Sequence, residues 1–315
     1  MSPAQSLTAV IALGGNALSP AGERATAANQ FRHTRASLAP IVELALDGWK
    51  LCIVHGNGPQ VGDALLRNEI AAAEVEPLPL GLLVAATAGW IGYMIQQSLG
   101  NALRRAGCDR DVVSIITQVE VSREDPAMAN PTKPIGHALG EERARSLQRA
   151  GETVKETDGE YHRVVGSPLP LAVHELGVIR PLVERGTIVV SCGGGGVPVF
   201  RDRKLGLEGV DAVVDKDLAA AALARGLGAD LFMILTNVDA VYSNFGTDRQ
   251  QPFAKLTVSD AERLDATGAF GEGSMAPKVR AAVDYVRHTQ GRAIITELSR
   301  GRDAVRGAAG TTILP

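Results

Sequence analysis

The sequence predicts an α/β protein with a parallel sheet covered by helices on both faces. Short runs rich in β-branched residues alternate with longer segments of helical periodicity, which is the pattern of βαβ units. Apolar residues make up 45% and charged residues 21% of the 315 residues, as in ordinary globular proteins. Glycine is enriched at 35 residues, where a share of about 7% is usual, and several glycines directly follow apolar runs. We therefore expect a single domain, residues 1–315, with shaped loops at the ends of its strands.

Strands and helices are predicted in a regular order. The runs predicted as strands are Ala9–Leu13, Leu51–Val54, Val112–Thr117, Thr187–Ser191, Leu231–Leu235 and Arg292–Thr296. The segments predicted as helices are Arg24–Leu46, Gln60–Ala73, Leu80–Arg105, Ala172–Glu184, Asp217–Leu227, Ser259–Ala266 and Pro277–His288. Pro40 and Pro181 lie inside two of these helices, where the missing N–H group predicts a kink or a break.

The alternation lapses in residues 122–170. This segment contains five prolines, which disfavour long regular elements. Residues 153–157 and 161–165 flank Asp158-Gly159-Glu160 and predict a hairpin around a turn. We expect residues 122–170 to form a small protruding subdomain inserted within the domain. A disordered insertion is the alternative, and the β-branched residues and Tyr161 argue against it.

Charge and composition argue against several classes of protein. The formal charge is −3, whereas nucleic-acid-binding proteins usually carry a basic excess, so no nucleic-acid partner is expected. Residues 77–103 carry no charge and could span a bilayer, but glycines and polar residues dilute their hydrophobicity. We expect a helix buried against the sheet there, and no membrane. The first residues lack a secretory pattern and the three cysteines lack disulfide spacing, so a cytoplasmic location is expected.

Three of the apolar strands end in glycine-rich loops. These loops are Gly14-Gly15-Asn16, Gly56-Asn57-Gly58 and the four-residue run Gly193–Gly196. Glycine lets backbone N–H groups approach a ligand closely, and converging N–H groups form anion sites. In open α/β sheets ligands bind at the carboxyl ends of strands, where all three loops must lie. The loops therefore predict an anion-binding site.

Familiar motifs of other enzyme classes are absent from the sequence. It contains no Gly-x-x-x-x-Gly-Lys-Ser/Thr, no dinucleotide fingerprint and no Gly-x-Ser-x-Gly. Its six histidines and three cysteines show no spacing of metal ligands, so no protein metal site is predicted. Among the histidines, only His55 stands beside a glycine loop.

Lysine is scarce, and three lysines stand where a solvated lysine is not expected. Lys133 lies between prolines, Lys216 lies where an apolar strand gives way to an alanine-rich helix, and Lys278 lies in the first turn of a helix. The positive end of a helix does not favour a lysine without an anion, and an ammonium group suits a phosphate. For each residue alone, an exposed lysine or a salt bridge is the alternative. Together with the glycine loops, these lysines predict phosphoryl transfer.

These motifs resemble those of the carbamate kinases, within the amino acid kinase fold. The resemblance runs in order from about residue 8 to 296. The segments that carry it are Ala12–Ala17, His55–Gly62, Ile91–Tyr93, Asn130–Gly136, Ser191–Val199, Asp215–Asp217 and Gly273–Lys278. Ala88, Asn237, His137 and Gly166 depart from residues that are common in that family.

The resemblance implies a three-layer sandwich around an eight-stranded, mostly parallel open sheet, and a homodimer. It implies reversible phosphoryl transfer between carbamoyl phosphate and ADP to give ATP and carbamate, with Mg²⁺. Carbamoyl phosphate and the transferring group would be held by Gly14, Gly15, Asn16, Gly56, Asn57, Gly58, Gly193 and Gly194. The implied catalytic residues are Lys133, Lys216, Lys278 and Asp215. Asp215 would orient the three lysines. The nucleotide would be bound by Lys216, Asn237, Val241, Tyr242, Met275, Pro277 and Lys278.

Two alternatives stay open on the sequence. The first is another kinase of the same fold, of the acetylglutamate or uridylate kinase type. Those enzymes generally use a lysine on the first strand, and here no lysine precedes Lys50. The second is a non-catalytic nucleotide-binding protein, which the loss of a site lysine would have favoured.

Overall fold

Strands and helices alternate along most of the chain in the computed structural model, which describes residues 6–15, 18–20, 23–157, 159–271 and 275–315. The strands are β1 (Thr8–Leu13), β2 (Lys50–His55), β3 (Val112–Ser114), β4 (Gln118–Glu120), β5 (Lys133–Leu139), β6 (Val154–Thr157), β7 (Glu160–Val165), β8 (Ala172–Val173), β9 (Ile188–Val190), β10 (Val197–Asp202), β11 (Gly206–Gly209), β12 (Leu231–Thr236), β13 (Val241–Ser243), β14 (Gln251–Phe253), β15 (Lys255–Thr257), β16 (Arg292–Glu297) and β17 (Thr311–Leu314). The helices are α1 (Ala27–Ser37), α2 (Ala39–Leu46), α3 (Gly58–Ala71), α4 (Leu80–Arg105), α5 (Pro126–Ala129), α6 (Glu141–Arg149), α7 (Leu176–Glu184), α8 (Lys216–Leu227), α9 (Val258–Ala266), α10 (Met275–Thr289) and α11 (Gly301–Val305).

An eight-stranded sheet forms the centre of the fold. Its strand order is β15-β17-β16-β12-β1-β2-β9-β3. Its neighbouring strands are parallel except for the antiparallel pair β16 and β17. The predicted α/β class and the mostly parallel sheet of eight strands are therefore confirmed. A second sheet, in the order β11-β10-β4-β8, was not predicted.

The central sheet has an apolar core on each face. Along β1, Val10 and Ala12 pack into one core and Ile11 and Leu13 into the other, because successive strand residues point to opposite faces. Helices α7, α8, α9 and α10 cover the first face, and α2, α4 and α11 cover the second. The result is the three-layer sandwich that the resemblance implied.

Most predicted elements have close counterparts in the structure. The long helix α4 has the predicted bounds, and the break expected at Pro40 separates α1 from α2. The break expected at Pro181 is wrong, since α7 continues through that residue. A proline removes one hydrogen bond, and α7 ends only three residues later. The helix predicted over Ala172–Glu184 begins at Leu176, because Ala172 and Val173 pair with β4 instead.

Residues 122–170 build a small sheet of their own. Its order is β5-β7-β6, and both neighbouring pairs are antiparallel. The predicted hairpin is confirmed by the pairing of Val154 with Arg163 and of Thr157 with Glu160. Asp158 in its turn lies outside the described residues.

The long helix α4, which is uncharged up to Leu103, packs against the central sheet. Its residues Ile91, Ile95 and Leu99 are fully buried in the second core. Over the described parts of the chain, no helix has the length and apolar character needed to cross a bilayer. The prediction of a helix buried against the sheet is confirmed for this segment.

Candidate active site

The first two glycine loops meet at the carboxyl edge of the sheet. Gly14 follows β1 and donates its N–H group to the carbonyl oxygen of Leu235, at 3.0 Å. Gly56 follows β2 and lies so close to Gly15 that a Cβ on Gly56 would stand 3.1 Å from the Gly15 nitrogen. The same Cβ would stand 3.3 Å from Cδ of Lys216. The two loops therefore touch each other and the first residue of α8.

The run Gly193–Gly196 forms a turn that only glycine can build. Gly194, Gly195 and Gly196 have φ angles of +68°, +97° and +83°, which side chains rarely tolerate. A Cβ on Gly195 would lie 2.0 Å from the carbonyl oxygen of Val214. Because Val214 directly precedes Asp215, the glycine run packs against the backbone that leads into α8.

The second loop places two buried polar side chains beside this run. A Cβ on Gly194 would collide with the Asn57 amide, and one on Gly193 would lie 2.5 Å from Nε2 of His55. Asn57 donates to Oγ1 of Thr87 at 2.9 Å and does not cap α3, which leaves the first N–H groups of α3 for an anion. Burial lowers the pKa of His55 to about 4, against the opposing effect of backbone hydrogen bonds. His55 is therefore neutral near pH 7 and supplies no cation.

Asp215 caps α8 and holds Lys133. Its Oδ1 accepts from the N–H groups of Asp217 and Leu218, at 2.9 and 3.3 Å. Its Oδ2 accepts from Nζ of Lys133 at 2.5 Å. Burial would raise the pKa of Asp215, but the charge and hydrogen bond of Lys133 and the charge of Lys216 lower it to about 2. Asp215 is therefore ionised near pH 7 and ties β5 to the start of α8.

Asp217 holds the other two lysines. Its Oδ1 accepts from Nζ of Lys216, and its Oδ2 lies 3.6 Å from Nζ of Lys278. The Asp217 side chain is only 3% exposed. Burial lowers the pKa of Lys278, an effect that Asp217 opposes. With Lys133 included, three ammonium groups face two carboxylates, and the excess positive charge favours an anionic ligand.

A cavity of about 330 Å³ opens beside these lysines. Its wall contains the first glycine loop, Lys216 and Lys278, and also Tyr242, Phe245 and Phe270. The rings of Tyr242 and Phe245 lie 5.8 Å apart, centre to centre. The cavity thus combines cationic and aromatic side chains, as a site for a nucleotide requires. A larger cavity of about 470 Å³ shares Thr236 and Asn237 with it but has no lysine in its wall.

The structure brings most of the predicted site residues to this edge. The wall of the smaller cavity includes Gly14, Gly15, Lys216, Asn237, Tyr242, Met275 and Lys278. Gly56, Asn57, Gly193 and Gly194 join it through the contacts described above, and Gly58 begins α3 beside them.

Other predicted residues are not in the cavity wall. Among the described lining residues, neither Val241 nor Pro277 occurs. Val241 is fully buried in the core because the alternation of β13 turns it away from the side that Tyr242 faces. Asn16 lies outside the described residues, as do Gly273 and Ser274 of the last motif.

Sequence reasoning missed Asp217 as the partner of two lysines, and it missed Phe245 and Phe270 in the cavity wall. The position of Asp217 directly after Lys216 was the available signal. Phe245 and Phe270 lie in irregular segments that carry no motif, so no local pattern identifies them.

Comparison with known proteins shows the family of the chain. The model of the amino acid kinase family matches residues 8–297, so the chain belongs to the amino acid kinase family. Carbamate kinase from Pyrococcus furiosus is 43% identical over 310 residues, which are 97% of this chain and 98% of the relative. A carbamate kinase-like protein of Escherichia coli is 42% identical, over 96% of this chain and 98% of its own length.

A solved structure shows the same full-length similarity. Carbamate kinase from Giardia lamblia bound to AMP-PNP superimposes with a TM-score of 0.91 and 37% sequence identity. The superposition covers 98% of this chain and 99% of that one. Within the amino acid kinase family, the chain therefore groups with the carbamate kinases.

Proposed function

We propose that this protein transfers the phosphoryl group of carbamoyl phosphate to ADP, reversibly, giving ATP and carbamate. The observation that carries the proposal is the set of three lysines held on two aspartates where the glycine loops meet. The full-length similarity to carbamate kinases supports the choice of substrate. Carbamate then breaks down to ammonia and carbon dioxide.

The charges of the site suit the transition state of this reaction. Phosphoryl transfer passes through a loose transition state with charge spread over the moving group, so catalysis consists mainly of positioning and cation support. Lys133 binds the transferring group from β5, and Lys216 and Lys278 bind phosphate oxygens from α8 and α10. Asp215 and Asp217 hold these ammonium groups in place beforehand. The glycine loops supply N–H groups to the oxygens of carbamoyl phosphate.

No general base is needed in this reaction. The carbamate oxygen and the attacking ADP oxygen are both ionised already, so no proton has to move. The buried, neutral His55 contacts the glycine run and provides no charge. A site rich in lysine and glycine is therefore sufficient.

The nucleotide occupies the cavity of about 330 Å³. Its phosphates lie toward Lys216 and Lys278, and its base lies toward Tyr242, Phe245 and Phe270. Aromatic side chains offer a flat apolar surface that matches a purine ring. Asn237 and Met275 also line this cavity.

Mg²⁺ fits this site as an ion carried by the nucleotide. Mg²⁺ usually keeps several waters and binds through phosphates with one or two carboxylates. In the part of the chain that the structure describes, no three His, Cys, Asp or Glu side chains form a metal cluster. Asp215 and Asp217 are the carboxylates beside the site lysines, and both pair with lysines. Phosphate oxygens and water would be the main ligands of the ion, which when bound neutralises phosphate charge.

The homodimer, the cytoplasmic location and the single domain with an inserted subdomain stay predictions. Light scattering of the purified protein would measure the first of them. A mass of one chain would contradict the dimer.

The proposed reaction is tested by the choice of phosphoryl donor. ATP formation from ADP is measured with carbamoyl phosphate, acetyl phosphate or acetylglutamyl phosphate under the same conditions. We expect carbamoyl phosphate to be faster by about tenfold or more, the discrimination that a few substrate contacts provide. Comparable rates with all three donors would contradict the proposal that carbamoyl phosphate is the substrate.

A further inference from the structure

Lys133 reaches the site on a segment that rests against α3. The backbones of α3 and β5 touch directly, since a Cβ on Gly62 would lie 2.0 Å from Cα of Gly136. Gly136 follows Lys133 by three residues on β5. The first residues of α3 belong to the second glycine loop. The contact with α3 therefore sets the position of Lys133 relative to that loop.

Glu69 makes the principal ionic link across this contact. Its Oε1 lies 2.9 Å from Nη2 of Arg163 on β7, and its Oε2 pairs with Arg143 on α6. The side chain of Arg163 is only 9% exposed, and among the described residues its Nε has no hydrogen-bond acceptor. Arg163 therefore depends on carboxylate partners to stabilise its buried charge. A second link joins Asp63 to His137 at 3.1 Å, but the His137 side chain is 66% exposed.

Apolar packing between α3 and β5 is limited to a small cluster, with cavities beside it. Two cavities, of about 350 and 360 Å³, lie along it and share Leu65, Glu69, Ile135 and Arg163 in their walls. One cavity extends along residues 137–140 and the other along residues 77–80. Ile135 also belongs to a small apolar cluster with Val61 and Leu80, so the ion pairs of Glu69 act beside an apolar contact.

We propose that Glu69 is a positioning residue for Lys133. By holding Arg143 and Arg163 of the inserted segment on α3, it sets the distance between the Lys133 ammonium group and the glycine loops. Glu69 itself touches neither substrate nor nucleotide. The proposal rests on the proposed function, in which Lys133 binds the transferring group. A mutation far from the reacting atoms that misplaces a catalytic group by about 1 Å can lower a rate by about 10²-fold.

The variant Glu69→Gln tests the proposal against a matched control. It removes the charge at nearly constant size, and we expect kcat for ATP formation to fall by about 10- to 100-fold. The KM for ADP should stay unchanged, because Glu69, Arg143 and Arg163 are not among the described residues that line the nucleotide cavity. The control is Glu152→Gln, because Glu152 pairs with the same Nη2 of Arg163 at 2.9 Å but belongs to the inserted segment itself. That variant should keep the kcat of the unmodified protein.

The same substitution in a Lys133→Ala background separates positioning from general damage. If Glu69 acts through Lys133, Glu69→Gln should have no further effect on kcat once Lys133 is gone. An equal loss in both backgrounds would overturn the proposal, as would equal losses in Glu69→Gln and Glu152→Gln. If Glu69→Gln does not fold, Glu69→Asp takes its place, with a smaller decrease expected.

Amine labelling of Lys133, followed by mass spectrometry, gives a readout that needs no activity. Lys133 is paired with Asp215 and should react slowly with an amine reagent. We expect faster labelling of Lys133 in Glu69→Gln but not in Glu152→Gln, and unchanged labelling in both would refute the proposal. An unmodified protein that fails to transfer phosphate would refute the proposed function alone, and the labelling would still decide the role of Glu69.

Discussion

Two aspartates form ion pairs with the three lysines of the site. The resemblance implied that Asp215 orients the lysines, whereas in the structure Lys133 pairs with Asp215, and Lys216 and Lys278 pair with Asp217. Each residue type was visible in a local motif. The pairing was not, because it depends on how β5, α8 and α10 meet in space. For the same reason Phe245 and Phe270 could not be predicted.

Truncation of Lys133 tests the central cation of the site. We expect Lys133→Ala to lower kcat by about 10²–10³-fold, as the loss of a preorganised donor does. The free energy of unfolding should fall by only about 1–2 kcal/mol, because Asp215 keeps two backbone N–H donors. Steady-state kinetics and urea unfolding measure the two effects.

The control for this variant is Lys155→Ala. Lys155 is exposed on β6 and lies outside every motif, so both kcat and stability should stay near those of the unmodified protein. Equal activity in Lys133→Ala and Lys155→Ala would show that the proline-flanked lysine is structural.

Helices and strands with strong periodicity were predictable, and short ones were not. The existence of α4 follows from the long run of residues without a charge that ends at Leu103, and its buried positions repeat with the helical period. The three-residue strand β15 and the terminal strand β17 join the sheet through pairing with distant residues. Val173 likewise becomes a strand because Val119 of β4 pairs with it. Such pairing overrides the local preference of a few residues.

The inserted segment should become more protected when substrates bind. Lys133 lies on β5, so a ligand that binds this lysine must also restrain residues 122–170. We expect amide hydrogen exchange in β5, β6 and β7 to slow in the presence of ADP and an unreactive analogue of carbamoyl phosphate. Exchange in residues 231–234 of β12, which are buried, is the internal reference. Unchanged exchange across the segment would count against its restraint by the bound ligands.

At the scale of the whole molecule, the sheet and the loops act together. Parallel strands place the carboxyl ends of β1, β2 and β12 at one edge, and this topology alone predicts that the first two glycine loops meet there. The number of strands and their mostly parallel direction came from the resemblance and not from composition or periodicity, and the order of the strands was not predicted. The second sheet and the contact between α3 and β5 depend on long-range packing, so the sequence did not reveal them.

Phosphorus NMR of the complete reaction follows donor, nucleotide and free phosphate together, so it distinguishes phosphoryl transfer to ADP from hydrolysis of the donor. In the presence of ADP, we expect ATP to appear in equal amount to the carbamoyl phosphate consumed, as direct phosphoryl transfer requires. Without ADP, consumption should not exceed the spontaneous rate, since a site that excludes water protects the donor. Release of inorganic phosphate as the main product, with ADP unchanged, would contradict phosphoryl transfer from carbamoyl phosphate to ADP.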